Sequence, residues 1–149
     1  MKSVELKIQM IGAHTFPEYA HPEDAGLDLY PLDSFDLSPG ESKLISAGFA
    51  LAIPETYKDF GLFGMLVPRS SSGKLKFKLA NTIGIIDSTY RGEIKMFIKN
   101  DSFGDVINFR KDVAVCQLLL VPYLKATFVE VAKLPDSVRG EGGFGSTSN

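Results

Sequence analysis

The sequence predicts an all-β protein, folded as a sandwich or a barrel-like roll. Short segments alternate apolar with polar residues, as residues 4–10 do, and a period of two is typical of half-buried strands. Glycines and prolines separate these segments at short intervals. No window of useful length repeats its apolar residues with the period of a helix. A fold built from many short strands is therefore expected.

The chain divides into strands, loops and one short helical turn. A loop is predicted at residues 14–23, a turn at residues 36–41 and a helical turn at residues 70–74. Lysines alternate with apolar residues at 75–79, which predicts an edge strand whose charges oppose strand addition. The predicted strands are residues 4–10, 25–30, 44–53, 60–67, 75–79, 84–87, 94–99, 106–109, 113–121 and 128–131.

Composition and charge exclude several classes of protein. With 149 residues, 44% hydrophobic and 23% charged, the chain is expected to form one soluble domain. A net charge of −2 argues against a general nucleic-acid binder. The single cysteine, Cys116, excludes an internal disulfide and lies in an apolar run, where a buried thiol is expected. His14 and His21 have no companions at zinc-ligand spacing.

Residues 84–93 form the stretch with the clearest chemical potential. Two apolar β-branched residues lead into Asp87, a polar corner containing Tyr90 follows, and Gly92 closes the corner before the next strand. This pattern predicts a hairpin that carries Asp87 at the end of its first strand. A carboxylate held at a tight corner is well placed for catalysis. The alternative is that the Asp-Ser pair only caps the turn backbone.

Residues 139–149 differ in composition from the rest of the chain. Four of these eleven residues are glycine, so the segment cannot build a core of its own. A disordered tail is one interpretation. The other is a flexible arm that closes over a ligand, with Arg139 pairing a phosphate and Phe144 stacking on a ring. We therefore divide the chain into a β domain at 1–138 and an arm at 139–149.

Five separated segments, in order and at matching spacing, resemble the motifs of the trimeric dUTP pyrophosphatases. They are residues 25–29 (AGLDL), 68–71 (PRSS), 84–93 (GIIDSTYRGE), 114–118 (AVCQL) and 139–148 (RGEGGFGSTS). The resemblance implies a jelly-roll-like fold, a homotrimer with active sites at subunit interfaces, and hydrolysis of dUTP to dUMP and pyrophosphate with Mg²⁺. That reaction keeps uracil out of DNA and supplies dUMP for dTMP synthesis.

The resemblance also assigns roles to single residues. It makes Asp87 the general base that deprotonates the water attacking the α-phosphorus. Asp28 becomes an outer-shell magnesium contact through water, although an Asp that bonds the local backbone is the alternative. Arg69 would meet phosphate oxygens or form an interface salt bridge. Gln117 would orient a phosphate or a water, or tie strands together as a buried amide. The remaining phosphate and arm contacts implied are Ser70, Ser71, Arg139, Phe144, Gly145 and Ser146.

Uracil recognition is expected from the hairpin between Asn81 and Tyr90. A peptide edge can donate to uracil O4 and accept from N3–H, a pattern that cytosine mismatches. Tyr90 would pack against the deoxyribose and leave no room for a 2′-hydroxyl, although a turn-flanking aromatic is the alternative. The other residues that the resemblance places at this pocket are Gly84, Ile85, Ile86 and Lys95.

Other readings of the chain make different predictions. A dCTP deaminase would share the architecture and release ammonia from dCTP. A nucleotide-sensing regulator would need a partner protein, and a structural β-sandwich module would leave Arg139 and Phe144 unexplained. A P-loop at residues 71–74 is rejected because Pro68 replaces its first glycine. No signal peptide or membrane-spanning run is apparent, so we expect a cytoplasmic protein (host cytoplasm or nucleus if viral) without nucleic-acid or membrane partners.

Overall fold

The computed structural model of the chain describes residues 3–12 and 15–141, and these residues are almost entirely β-structure. In those two ranges no helix is long and apolar enough to cross a membrane. The elements are β1 (Lys7–Met10), β2 (Leu27–Leu29), β3 (Phe35–Leu37), β4 (Ser42–Ala52), β5 (Thr56–Tyr57), β6 (Phe60–Pro68), α1 (Ser72–Leu75), β7 (Phe77–Leu79), β8 (Gly84–Asp87), β9 (Glu93–Asn100), β10 (Ile107–Phe109) and β11 (Cys116–Tyr123).

Two antiparallel sheets form the layers of the fold. The first sheet has the order β1-β4-β9-β7, so the lysine-bearing β7 is an edge strand as predicted. The second sheet has the order β2-β11-β6-β5, and β8 also pairs with β6. β10 and β3 pair with each other as a separate two-stranded antiparallel sheet. This arrangement confirms the predicted jelly-roll-like, all-β fold.

The hydrophobic core lies between the sheets and follows the alternation in the sequence. On β9, Ile94, Met96 and Ile98 are fully buried, whereas the residues between them face outward. Phe49 of β4 and Leu118 of β11 meet this row from the first and second sheets. The period-two pattern therefore decides which face of each strand is removed from water, and burying those faces stabilises the pair of layers.

The pairing between two strands of the first sheet is irregular near the start of β9. The register between β4 and β9 shifts between Ser46 and Ala50, and Gly48 inside this bulge has a φ of +73°. Glycine adopts that conformation without the strain that a side chain would add. The bulge lets the Ser46 hydroxyl accept a hydrogen bond from the Gly48 amide at 2.8 Å and donate one to a carboxylate oxygen of Glu93.

The structure corrects two predictions about strands. The predicted hairpin between residues 84–87 and 94–99 is wrong, because β8 pairs with β6 and β9 pairs with β4 and β7. Residues 88–92 instead carry the chain from one sheet to the other. The predicted strand at 128–131 is also wrong, since these residues have no ladder partner and Phe128 is 95% exposed. Suitable composition cannot make a strand without a neighbouring strand.

Candidate active site

A polar pocket opens on the outer face of the second sheet, where three strands meet. Asp28 of β2 lies opposite Gln117 of β11, which in turn lies opposite Val67 of β6. Arg69 and Ser70 follow the end of β6 and line the same pocket, whose volume is about 300 Å³. The structure thus brings together four residues that the sequence had placed in three separate motifs.

Asp28 and Arg69 form the charged centre of this pocket. Arg69 Nε lies 3.0 Å from Asp28 Oδ1, and the Asp28 side chain is almost entirely buried. Burial raises the pKa of Asp28, Arg69 partly opposes that rise, and the nearby carboxylates of Asp24 and Glu18 add to it. Arg69 keeps about a third of its side chain exposed, so the guanidinium is accessible to an anionic ligand.

Gln117 reaches this pocket because the facing residue is a glycine. A Cβ at Gly26 would lie 2.9 Å from Gln117 Cδ and closer still to Oε1, so the amide lies directly across the Gly26 backbone. Ser71 caps the start of α1 with its carbonyl, which accepts bonds from Lys74 N and Leu75 N. Ser70 lines the pocket. Ser71 instead belongs to the adjoining turn.

Asp87 occupies the exposed end of β8, where the chain turns toward the other sheet. Its carbonyl accepts a hydrogen bond from Tyr90 N at 3.0 Å, which closes a four-residue turn. The Arg91 guanidinium donates to Ser88 O at 2.5 Å and to Tyr90 O at 2.8 Å. These bonds fix the backbone of the corner and leave the Asp87 carboxylate on the solvent side of the sheet.

The residues expected to read uracil lie on or beside β8. In the part of the chain that the structure describes, β8 pairs only with β6, so its other backbone edge is unpaired. Gly84 packs against Leu66, whereas Ile85 is half exposed beside that edge. Ile86 points inward, against the core. Asn81, in the preceding turn, accepts a hydrogen bond from Ile83 N.

Lys95 lies apart from the β8 edge. It sits on the outer face of β9, opposite Ser46 of β4. Its ammonium lies 3.8 Å from a carboxylate oxygen of Glu93.

The Asp28–Arg69 pocket and the Asp87 corner lie on the same face of the second sheet but are far apart. Along β6, the position opposite Gln117 is four residues from the position opposite Asp87, which is about 13 Å. Across the sheet, β2 and β8 are three strand spacings apart, or about 14 Å. The backbones of Asp28 and Asp87 are therefore separated by roughly 20 Å within one chain.

The C-terminal residues predicted to bind substrate are only partly described. Arg139 is exposed and lies in the described part of the chain, whereas Phe144, Gly145 and Ser146 lie outside the described residues. In residues 3–12 and 15–141, no group of three or more His, Cys, Asp or Glu side chains could hold a metal ion. Among the described residues that line the pocket, Asp28 is the carboxylate that forms an ion pair, with Arg69.

Sequence reasoning missed several residues that shape these groups. Asp24 and Glu18 act on the Asp28 carboxyl from a loop, and Arg91 braces the Asp87 corner. The position of Arg91, a basic residue next to the corner, was a sequence signal for its bracing of the Asp87 corner. The contribution of Glu18 had no local signal, because its bridge to Asp28 joins residues that are ten positions apart.

The sequence and the fold are both similar to those of known dUTPases. A sequence model of the dUTPase family matches residues 13–148. The deoxyuridine 5'-triphosphate nucleotidohydrolase of Nautilia profundicola is 38% identical over 97% of this chain and 99% of that protein. The structure of Staphylococcus bacteriophage 80alpha dUTPase with dUPNHPP has a TM-score of 0.85 and 27% identity, covering 99% of this chain and 100% of that one.

A further structure shares the fold at lower identity. It is a mutant dUTPase from phage phi11 of S. aureus with a structural Mg(II) ion, with a TM-score of 0.77 and 23% identity over 89% of this chain and 100% of that one. Together the β roll and these similarities define a nucleotide hydrolase. The chain belongs to the dUTPase family, and it is an enzyme that hydrolyses dUTP. The family match favours this activity over the dCTP deaminase alternative.

Proposed function

We propose that the enzyme cleaves dUTP to dUMP and pyrophosphate by attack of one water on the α-phosphorus, with Asp87 as the general base. The water oxygen bonds to phosphorus, its proton passes to the Asp87 carboxylate, and the bond from the α-phosphorus to the bridging oxygen breaks. The observation that carries the proposal is the Asp87 corner itself: an exposed carboxylate on a turn braced by Arg91, beside an unpaired strand edge. Such a base contributes about 10²–10⁴-fold in rate.

The Asp28–Arg69 pocket is proposed to bind the triphosphate. Arg69 supplies positive charge, while Ser70 and Gln117 supply hydrogen-bonding groups around the same cavity. A single buried carboxylate is too small a ligand set for a protein cage, which suits Mg²⁺ held mainly by phosphate oxygens and water, with Asp28 contacting it through water. When bound, the ion neutralises charge on the phosphates.

The unpaired edge of β8 is proposed to read the base, and Tyr90 the sugar. The free amides and carbonyls of an edge strand are available to pair with uracil O4 and N3–H. A cytosine would leave these groups mismatched, at a cost that supports strong discrimination. Tyr90 lies just beyond this edge and is about two-fifths exposed as a residue, so a sugar can pack against it.

Catalysis by these groups requires a second copy of the chain. A base must come within about 3 Å of the water that it deprotonates, yet Asp87 and Asp28 are roughly 20 Å apart along one sheet. In a cyclic oligomer, a heterologous interface brings two different patches of neighbouring copies together. We therefore assign the phosphate pocket to one copy, the Asp87 corner to a second, and the arm from residue 139 onward to closure of the site.

A substrate panel tests this function. Pyrophosphate release is measured in parallel from dUTP, dTTP, dCTP and UTP, with the full chain and with a form ending at Val138. We expect only dUTP to be turned over well, and the shortened form to lose most of its activity. Comparable turnover of dTTP or UTP would refute the role of the β8 edge and Tyr90. Full activity of the shortened form would refute the role of the arm.

A further inference from the structure

The ring of Tyr90 lies on the backbone of Gly92. A Cβ placed on Gly92 would be 2.5 Å from Tyr90 Cζ and 2.9 Å from Cε2, and closer still to the hydroxyl. The Tyr90 hydroxyl also donates to the carbonyl of Glu93 at 3.1 Å. The tyrosine therefore folds back over its own turn, and its ring occupies the volume that any side chain at position 92 would need.

Position 92 needs a glycine because the Tyr90 ring occupies the space of a side chain, and not because the backbone there has a positive φ. The residues with positive φ in the described chain include Gly12, Gly40, Gly48 and Gly140, but not Gly92. Alanine would fit the Gly92 backbone without strain. The three atoms nearest to such a side chain all belong to Tyr90, so its cost is first of all a collision with that residue.

The backbone around Gly92 is held on both sides, so the ring must yield. Arg91 is bonded to the carbonyls of Ser88 and Tyr90. Glu93 is fixed in the ladder opposite Ala50 and accepts a hydrogen bond from Ser46 Oγ. An added methyl would therefore move the ring outward by on the order of 1 Å to restore an ordinary contact distance.

We propose that Gly92 is a positioning residue for sugar selection: by carrying no side chain, it lets the Tyr90 ring lie close to the corner at the height that excludes a 2′-hydroxyl. This inference rests on the proposed function and deepens it. The specificity for deoxyribose then depends on two residues, one that contacts the sugar and one that sets where the contact lies. An outward shift moves the ring into the space in which the deoxyribose packs and so weakens that packing, whereas a ribose is already excluded there.

The test compares kcat/KM for UTP and dUTP in Gly92→Ala. We expect the UTP/dUTP ratio to rise about tenfold through a higher KM for dUTP, because UTP has little of this packing to lose. Gly104→Ala is the matched control, because a Cβ at Gly104 meets no atom within 4 Å. Its ratio should stay at the wild-type value. Thermal unfolding of each variant verifies that it folds.

A double-mutant cycle shows whether Gly92 acts through Tyr90. In a Tyr90→Ala background, Gly92→Ala should no longer change the ratio, since there is no ring to displace. An unchanged ratio in the folded single variant, or the same rise in both backgrounds, overturns the inference. If Gly92→Ala does not fold, Tyr90→Phe decides: loss of the bond to the Glu93 carbonyl should raise the ratio about threefold, and no change overturns the inference. Wild-type protein inactive on dUTP would instead refute the proposed function.

Discussion

At the scale of a single residue, burial of Asp28 makes its ionised carboxylate a cost to the stability of the fold. Its side chain is almost fully buried, and burial raises its pKa despite the Arg69 guanidinium at 3.0 Å. The folded chain therefore binds a proton at Asp28 more tightly than the unfolded chain does. Ionisation above the ordinary value of 3.8 costs stability, so the loss is present at neutral pH and disappears as the pH falls below that value.

Substitution of Asp28 by asparagine is expected to stabilise the protein while removing its activity. Asparagine has a similar shape but cannot ionise, so the midpoint of thermal unfolding should rise at pH 7 by on the order of 2 °C. The difference from wild type should shrink as the pH approaches 3.8, where Asp28 is increasingly protonated. Calorimetry across this pH range makes the measurement, with the exposed Asp59→Asn as control. A lower midpoint at pH 7 would mean that the Arg69 pair outweighs burial.

The Asp87→Asn substitution tests the carboxylate of Asp87 without disturbing the turn that carries it. The corner uses the Asp87 carbonyl, not its carboxylate, to bond Tyr90 N, so the turn should persist in the variant. We expect kcat for dUTP to fall by about 10²–10⁴-fold with little change in KM or in the unfolding midpoint. Steady-state kinetics measure both constants, and Asp101→Asn on the far sheet edge is the control. Near-normal turnover would remove Asp87 from the role of base.

At the scale of elements, the sequence predicts strands well and their partners poorly. The alternation in residues 94–99 identifies the buried face of β9, because a strand shows its environment in its own period. It holds no information on which strand lies alongside. The segments 84–87 and 94–99 are neighbours in sequence and so suggested a hairpin, yet their partners are β6 and β4. Pairing depends on the faces of distant strands.

The same contrast holds for the candidate site: its residues could be predicted from the sequence, but their contacts across the sheet could not. Asp87, Arg69 and Gln117 could be selected from motifs, because their chemistry is local. The ion pair of Arg69 with Asp28 could not, since it requires the β2-β11-β6 order that joins residues about forty positions apart in the chain. The span between Asp28 and Asp87 likewise depends on strand order, which the sequence leaves open.

One guanidinium braces the turn between the sheets, beside the bond from Tyr90 N to the Asp87 carbonyl. Arg91 donates to two carbonyls of the corner, and without it the backbone that aims Asp87 loses both bonds. We expect Arg91→Ala to lower kcat about tenfold, because small misplacements of a base are costly. The comparison is Arg110→Ala, which removes an exposed pair with Asp112 and should leave kcat unchanged. Equal kcat values for Arg91→Ala and wild type would show that the corner holds itself.

At the scale of the whole molecule, one chain presents both groups of the proposed site on one face. The Asp28–Arg69 pocket and the Asp87 corner both lie on the outer side of the second sheet, roughly 20 Å apart. A rotation that places the corner of one copy over the pocket of the next would use each surface once, and it would give a ring where the rotation closes. Under the proposed roles, such a ring would bring Asp87 of one copy to Arg69 of the next.

Mixing two inactive variants tests this arrangement. Arg69→Ala and Asp87→Asn should each be nearly inactive alone, the first through phosphate binding and the second through loss of the base. When they are unfolded together and refolded as mixed oligomers, a site with Asp87 from one copy and Arg69 from another is intact. Random assembly in equal amounts restores about a quarter of wild-type activity, since each of two independent choices is correct half of the time. Refolding each variant alone is the control. No recovery in mixed oligomers of wild-type size would show that both residues act within one copy, and the assignment of the two halves to different copies would be wrong.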